Sequence, residues 1–373
     1  MRLPVDRVPF LNLQRQYQEL RQDIDAAIAS TINSSSYIQG EKVRAFEAEF
    51  SKWNGSEYCI GCANGTDAIE IALEALGIGP GDEVIVPAMT WISTAEAVVR
   101  VGASPRFVDI DNISYCIDVD QVEKTISRKT KAIIAVHLYG NTADVIKLRQ
   151  VSDAAGIFLV EDCAQAHGAL VTSDVKVGNI GHVGTFSFFP GKNLGAYGDA
   201  GCIVTKDEAF AKICREIGNH GQIKKHNHCR IGRNSRLDGL QAAILSAKLP
   251  MLNKWIAHRQ KIADYYSSNI NPELVQLPEA GTPGSHAFHL YVVLHKSRDL
   301  LLSELAKFGV ETAIHYPAPL TDLKVFAEYI EDADRNTFPC AKKLAQQALS
   351  LPISDQLSLA QAGFICKCVN TLI

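Results

Sequence analysis

The chain has 373 residues, 47% of them hydrophobic, and its 37 basic and 41 acidic side chains leave a formal net charge of -4. That length predicts a sizeable core in two to three domain-sized units, or one large domain with a satellite, and 21% charged residues is a globular value rather than a disordered one. The balanced charge excludes an electrostatic nucleic-acid footprint, and the absence of any apolar run near the roughly 18 residues of a membrane span argues against a membrane partner.

The N-terminus, residues 1–7, reads as too polar to open a secretory signal. A first helix is predicted over 12–32, where Tyr17, Leu20, Ile24, Ala27 and Ile28 recur at helical spacing. A second amphipathic stretch follows Gly40 and carries Val43, Phe46 and Phe50. From there to about 205, β-rich runs at 84–86, 107–110, 132–136, 157–160, 185–188 and 202–204 alternate with helical patterns such as 67–76 and 145–155. Continuous apolar strands alternating with helices predict an α/β fold, a mostly parallel sheet covered on both faces.

Residues 236–270 read as mostly helix, with Leu237, Leu240, Ala243, Ile244 and Ala247 on one stripe and Pro250 as a kink or break. A strand at 289–294, a helix, an extended stretch at 310–315 and closing helices at 339–349 and 358–371 predict a smaller α+β unit. The expected division is a large domain, 1–245, with an N-terminal helical segment, and a small domain, 246–373.

Ten cysteines invite a metal reading: Cys59 and Cys62 have C-x-x-C spacing, and His226 and His228 precede Cys229. A structural zinc site needs a second pair at a defined separation, and Cys366 with Cys368 lies too far along the chain to supply it. Most of the thiols sit among apolar neighbours, so no metal is expected and a reducing, cytoplasmic compartment is.

In an open parallel sheet, ligands gather at the carboxyl ends of the strands. Four loops there carry polar residues. Ala63-Asn64-Gly65-Thr66-Asp67-Ala68 enters a helix; it reads as a phosphate seat, with Thr66 as cap, or as an ordinary N-cap. Trp91 follows the strand at 84–86, placed to stack on a flat heterocycle or simply to pack under a loop. At 161–168, Glu161-Asp162 end a strand, with Gln165 and His167 close behind. Asp162 is placed either to hold a protonated ring nitrogen or to cap a helix. Finally, Lys192 follows an apolar strand among glycines 191, 195, 198 and 201, where desolvation makes an amine a usable nucleophile and base. Thirty residues after Asp162, it suggests a Schiff base with pyridoxal phosphate.

These loops, together with Ile38-Gln39-Gly40, Gly81 to Pro87, Val136 to Gly140, Glu161 to Ala169 and Asn234 to Asp238, resemble the DegT/StrS sugar aminotransferases of the fold-type I pyridoxal-phosphate enzymes along nearly the whole chain. The resemblance implies that Lys192 carries the cofactor, Asp162 faces its pyridinium nitrogen, Gln165 meets the 3-oxygen and Trp91 stacks on the ring. It also implies that Gly65, Thr66 and Ser187 hold the phosphate, with Asn234 reaching the cofactor of a neighbouring subunit in a homodimer. L-Glutamate would be the amino donor. The runs 188–195 and 315–320 resemble the branch acting on 3-keto sugar nucleotides, which makes Tyr37, His315 and Tyr316 candidates for sugar contacts, with core packing the alternative for the tyrosines. The sequence departs from the family pattern at Cys163, His226, Thr321 and Arg233. Arg233 reads either as a bidentate donor to the substrate's diphosphate or as a solvated surface arginine.

Overall fold

The computed structural model describes residues 7–279, 281–330 and 338–372, so the polar start read at residues 1–6 lies outside them. The expected first helix is two, α1 (Leu13–Glu19) and α2 (Arg21–Ser34), because the Leu20 N–H bonds Tyr17 O and tightens the turn between them. Next come α3 (Gly40–Asn54), β1 (Tyr58–Cys62), α4 (Gly65–Ala75), β2 (Glu83–Pro87), α5 (Ser93–Arg100) and β3 (Ser104–Val108). The alternation continues with α6 (Val119–Thr125), β4 (Thr130–Val136), α7 (Val145–Ala155), β5 (Phe158–Asp162), β6 (Val183–Ser187), β7 (Gly201–Thr205) and α8 (Glu208–Gly218).

A short hairpin, β8 (Gln222–Lys224) and β9 (Asn227–His228), leads to α9 (Gly239–Lys248) and α10 (Leu252–Asn269). The chain closes with β10 (Tyr291–Leu294), α11 (Arg298–Lys307), α12 (Pro339–Gln347), β11 (Ala348–Leu351) and α13 (Leu359–Leu372).

The central sheet runs β1-β7-β6-β5-β4-β2-β3, and only β7 opposes its neighbours. The carboxyl ends of β2, β4, β5 and β6 therefore share one edge, and the register sets Val136 beside Asp162 and Asp162 beside Thr185. Strand β1 escapes a reading by apolar pattern because Gly61 interrupts it; a side chain there would stand 2.8 Å from the Leu237 Cβ. The predicted helix 339–349 stops at Gln347, since Ala348–Leu351 is buried and pairs antiparallel with β10.

The helical run 236–270 breaks at Leu249–Met251, around Pro250 as expected, and residue 245 lies inside α9. The C-terminal unit has a core of its own, formed by Ile262, Tyr266, Tyr291, Leu305, Leu349 and Ile365. Val8 joins that core, bridging to Val310, so the start of the chain belongs with its end. Beneath β6, Phe186 and Phe188 meet Phe50 edge-on at 5.1 and 5.2 Å, an aromatic floor under the lysine loop.

Candidate active site

Lys192 sits in a loop that doubles back on itself after β6. Phe188 N donates to Ala200 O at 2.7 Å, Ala196 N to Phe188 O and Lys192 N to Phe189 O, both at 2.8 Å. The fold-back requires glycine at 195, where a Cβ would stand 2.3 Å from Pro190 O. Helix α9 grips the loop from outside: Gln241 Oε1 accepts from Tyr197 N at 2.8 Å, and Lys248 Nζ donates to Gly195 O at 2.5 Å. These two residues are seven apart, two helical turns, and so share a face.

Lys248 is fully buried, with its ammonium 4.9 Å from the Tyr197 ring, and burial pulls its pKa down to about 8. Burial also lowers Lys192 to about 8, against the opposing pull of Asp162. A lysine so placed loses its charge around pH 8 rather than near 10.5, so a sizeable share of it is the uncharged amine that a nucleophile needs.

Asp162 ends β5 and is 6% exposed. A turn rather than a helix follows it, so the capping alternative fails. Its Oδ1 accepts from Ala164 N and its Oδ2 from Thr94 Oγ1, both at 3.1 Å. Burial pushes its carboxyl above the ordinary range; Ala164, Thr94 and Lys192 oppose this without overcoming it. Among the described residues no salt bridge reaches it, and Lys192 acts on it only by its charge, so the carboxylate is free to meet a further cation.

Its neighbour Glu161 is the opposite case, saturated by the N–H groups of Gly178, Ile180 and Gly181 and by His137 Nε2 at 3.0 Å. Those hydrogen bonds outweigh burial and hold its carboxyl below the ordinary range. His137, Glu161 and Cys163 lie close enough to suggest a metal cage. However, Ala143 N donates to His137 Nδ1, which leaves the proton on Nε2, facing Glu161. The cluster is a closed hydrogen-bond network that steadies β5.

The cap of α4 is Asn64, whose side chain accepts from Asp67 N at 2.8 Å; Thr66 does not cap, and its hydroxyl instead pairs with Ser93 Oγ at 2.7 Å. The N–H groups of Gly65 and Thr66 precede any intrahelical acceptor. Gly65 lies against Ser187, where a Cβ would come within 2.7 Å of the Ser187 Cβ. Amides, two hydroxyls and a helix N-terminus thus converge, the chemistry of a phosphate seat.

Trp91 is 57% exposed, its ring 5.5 Å from Tyr316 and tilted by 44°. Gln165 joins the two sides of the crevice: Oε1 accepts from Tyr139 N at 2.6 Å, and Nε2 donates to Tyr316 Oη at 3.0 Å. His315 Nδ1 pairs with Ser350 Oγ at 2.8 Å, and burial, then the charge of Lys192, lowers its pKa to about 4. His167, pressed against Phe186 and Phe188, falls to about 3 through burial and the same charge. The imidazoles here are uncharged at neutral pH.

Three further expected positions have surroundings of their own. Arg233 is neither a free diphosphate donor nor a solvated arginine: its guanidinium pairs with Glu70 and Glu74, one turn apart on α4. Asn234 and Tyr37 are exposed, the Tyr37 hydroxyl lying 3.5 Å from Ile32 O. The cysteines are dispersed, with Cys59 and Cys62 inside β1, Cys229 exposed near the hairpin, and Cys366 and Cys368 in the C-terminal core. Sequence reasoning missed Thr94, Lys248 and Gln241, whose contacts span 68, 53 and 44 residues and leave no local signature.

Pyridoxal phosphate fits this donor set. The buried carboxylate without a salt bridge among the described residues suits a protonated ring nitrogen, the lowered amine suits an aldehyde carbon, and the Gly65–Ser187 contact suits a phosphate.

Known proteins point the same way. A "Pleiotropic regulatory protein" of Geobacillus stearothermophilus is 42% identical over 363 residues, 96% of this chain and 97% of that one. The UDP-N-acetyl-3-dehydro-alpha-D-glucosamine 3-aminotransferase of Acidithiobacillus ferrooxidans is 41% identical over 97% of both chains. The solved structure of DesV from S. venezuelae, in complex with a ketimine intermediate, superposes with a TM-score of 0.95 at 40% identity, covering 98% of each chain. The sequence profile of the DegT/DnrJ/EryC1/StrS aminotransferase family matches residues 18–370, and the chain belongs to that family.

Proposed function

We propose that this aminotransferase uses pyridoxal phosphate to move the amino group of L-glutamate onto a nucleoside-diphosphate 3-keto-hexose, giving a 3-amino-3-deoxy sugar nucleotide. The observation that carries the reading is the grouping of Lys192, lowered by burial to about 8, with the buried carboxylate of Asp162 that feels its charge, on the strand-end edge where Gly65 abuts Ser187. The relative acting on a 3-dehydro sugar nucleotide, matched over 97% of this chain, supports the choice of the 3-position.

When bound, the cofactor supplies an electron sink that stabilises a carbanion next to nitrogen. The side chains supply the rest. Lys192 Nζ, partly desolvated, would take a proton from the carbon that bears the donor's amino group and return it at the carbon on the far side of that nitrogen. Asp162 keeps a proton on the ring nitrogen, Trp91 covers one ring face, and Gln165 presents an amide N–H to the ring edge. Gly65, Thr66 and Ser187 hold the phosphate. His315, Tyr316 and Tyr37 are the proposed sugar contacts, His315 acting as a neutral donor or acceptor.

Asn234 is exposed, next in the chain to Ser235, which with Gln39, Arg44, Ile223 and Arg236 lines a cavity of about 490 Å³. This supports a homodimer in which Asn234 of one protomer reaches its partner's cofactor phosphate. No helix among the described residues is long and apolar enough to cross a membrane, and all ten thiols are free; both support a cytoplasmic enzyme.

The regulatory name of one relative favours a second reading, a ligand-binding homologue without transfer. Intact Lys192, Asp162 and Gln165 oppose it. The test is glutamate-dependent amination across 3-keto and 4-keto nucleotide sugars. Turnover on the 3-keto set supports the proposal, turnover on 4-keto substrates alone refutes the regiochemistry, and none on either favours the second reading.

A further inference from the structure

Among the groups around Asp162, one is in no earlier role. Thr94 is 1% exposed, lies in the first turn of α5, and gives its hydroxyl proton to Asp162 Oδ2 at 3.1 Å. A carboxylate only accepts, so the direction of that bond is fixed. The Thr94 oxygen is left to accept from Thr90 Oγ1, 3.2 Å away and 4% exposed. As the second residue of α5, Thr94 has no carbonyl of its own helix three or four residues before it to take its hydroxyl. It donates to a residue 68 positions away. Its N–H bonds Trp91 O at 3.2 Å, so one short segment carries both the exposed indole and the donor to the carboxylate.

We propose that Thr94, backed by Thr90, is a positioning residue that fixes the rotation of the Asp162 carboxylate and restrains its basicity toward the cofactor ring nitrogen. The inference rests on the reading of Asp162 as the partner of that nitrogen. The other groups facing Asp162 are Ala164 N–H, Lys192 and His137. His137 is tied to Glu161, and Lys192 is committed to the cofactor, so the hydroxyl is the adjustable donor. Without it the carboxylate is more basic and draws the proton off the ring nitrogen. The ring then withdraws less charge, and the nitrogen joining Lys192 to the cofactor becomes more basic.

The test is the holoenzyme of Thr94→Val, which keeps the volume and removes the hydroxyl. The pH midpoint of the visible band of the lysine-bound cofactor is expected to rise by about one unit, with kcat down about tenfold and sugar KM within about twofold. Thr94→Ser is expected to restore both values. Thr90→Val removes only the backing donor and is expected to shift the midpoint the same way by less, which keeps the idea testable if Thr94→Val folds poorly. An unchanged midpoint and kcat in a folded Thr94→Val, or in Thr90→Val when that is the only folded variant, overturns the proposal. A wild-type protein that forms no visible band with pyridoxal phosphate removes the reading of the site itself; a normal wild-type band with no shift removes only Thr94.

Discussion

Lys192 and Arg233 illustrate how far a residue's surroundings in sequence predict its surroundings in space. For Lys192, an apolar strand on one side and spaced glycines on the other already force a desolvated amine. The fold then adds Asp162, which opposes the shift without cancelling it. Because burial penalises the ammonium, the uncharged amine forms at lower pH than in a solvated lysine. Capture of pyridoxal phosphate by apoprotein is therefore expected to accelerate as pH rises and to level off above a midpoint near 8. A midpoint near 10.5 would place Lys192 in solvent.

For Arg233, nothing local announces Glu70 and Glu74, more than 150 residues earlier. Arg233→Ala is expected to leave nucleotide-sugar KM unchanged while lowering stability by about 1–2 kcal/mol, since it leaves the buried Glu70 only the longer Arg100 contact and takes the Arg233 contact from Glu74. Calorimetry and steady-state kinetics on the same variant separate these effects; a large KM rise with unchanged stability returns Arg233 to the sugar site.

At the scale of elements, strands β2 to β7 and helices α4 and α7 were legible because each is long enough to show its period. Strand β1 was not, since Gly61 is there to admit Leu237 rather than to continue a pattern. Helix α9 was legible as a helix but not as a clamp: its apolar stripe shows in the sequence, whereas its grip on the lysine loop through Gln241 and Lys248 does not. The folded pKa of Lys248, about 8, lies below that of an unfolded lysine, so protonation opposes folding. Stability is accordingly expected to rise between pH 8 and about 10.5, and Lys248→Met is expected to lose part of that rise in chemical denaturation. The variant should also capture cofactor more slowly, about tenfold on the cost of freeing one carbonyl of a tight loop. Equal capture rates would show that the clamp does not govern the loop.

In the whole molecule, strand ends at one edge of a seven-stranded sheet meet Tyr316 of the C-terminal unit, whose core includes Val8 from the start of the chain. Its chemistry was legible because strand ends are where α/β sheets put ligands; the proposed sharing between chains comes only from family resemblance. Subunit complementation addresses the sharing. Mixed Lys192→Ala and Asn234→Ala chains, each poorly active alone, are expected to regain about a quarter of wild-type activity, because half the dimers are mixed and each mixed dimer has one intact site. No recovery in verified mixed dimers would confine Asn234 to its own protomer.

The central claim is that Lys192 holds the cofactor opposite Asp162. Borohydride reduction of the holoenzyme followed by peptide mass analysis tests it most directly. The account predicts a pyridoxyl group on the peptide containing Lys192 and none in Lys192→Ala; the group on another lysine, or its persistence in that variant, would contradict it.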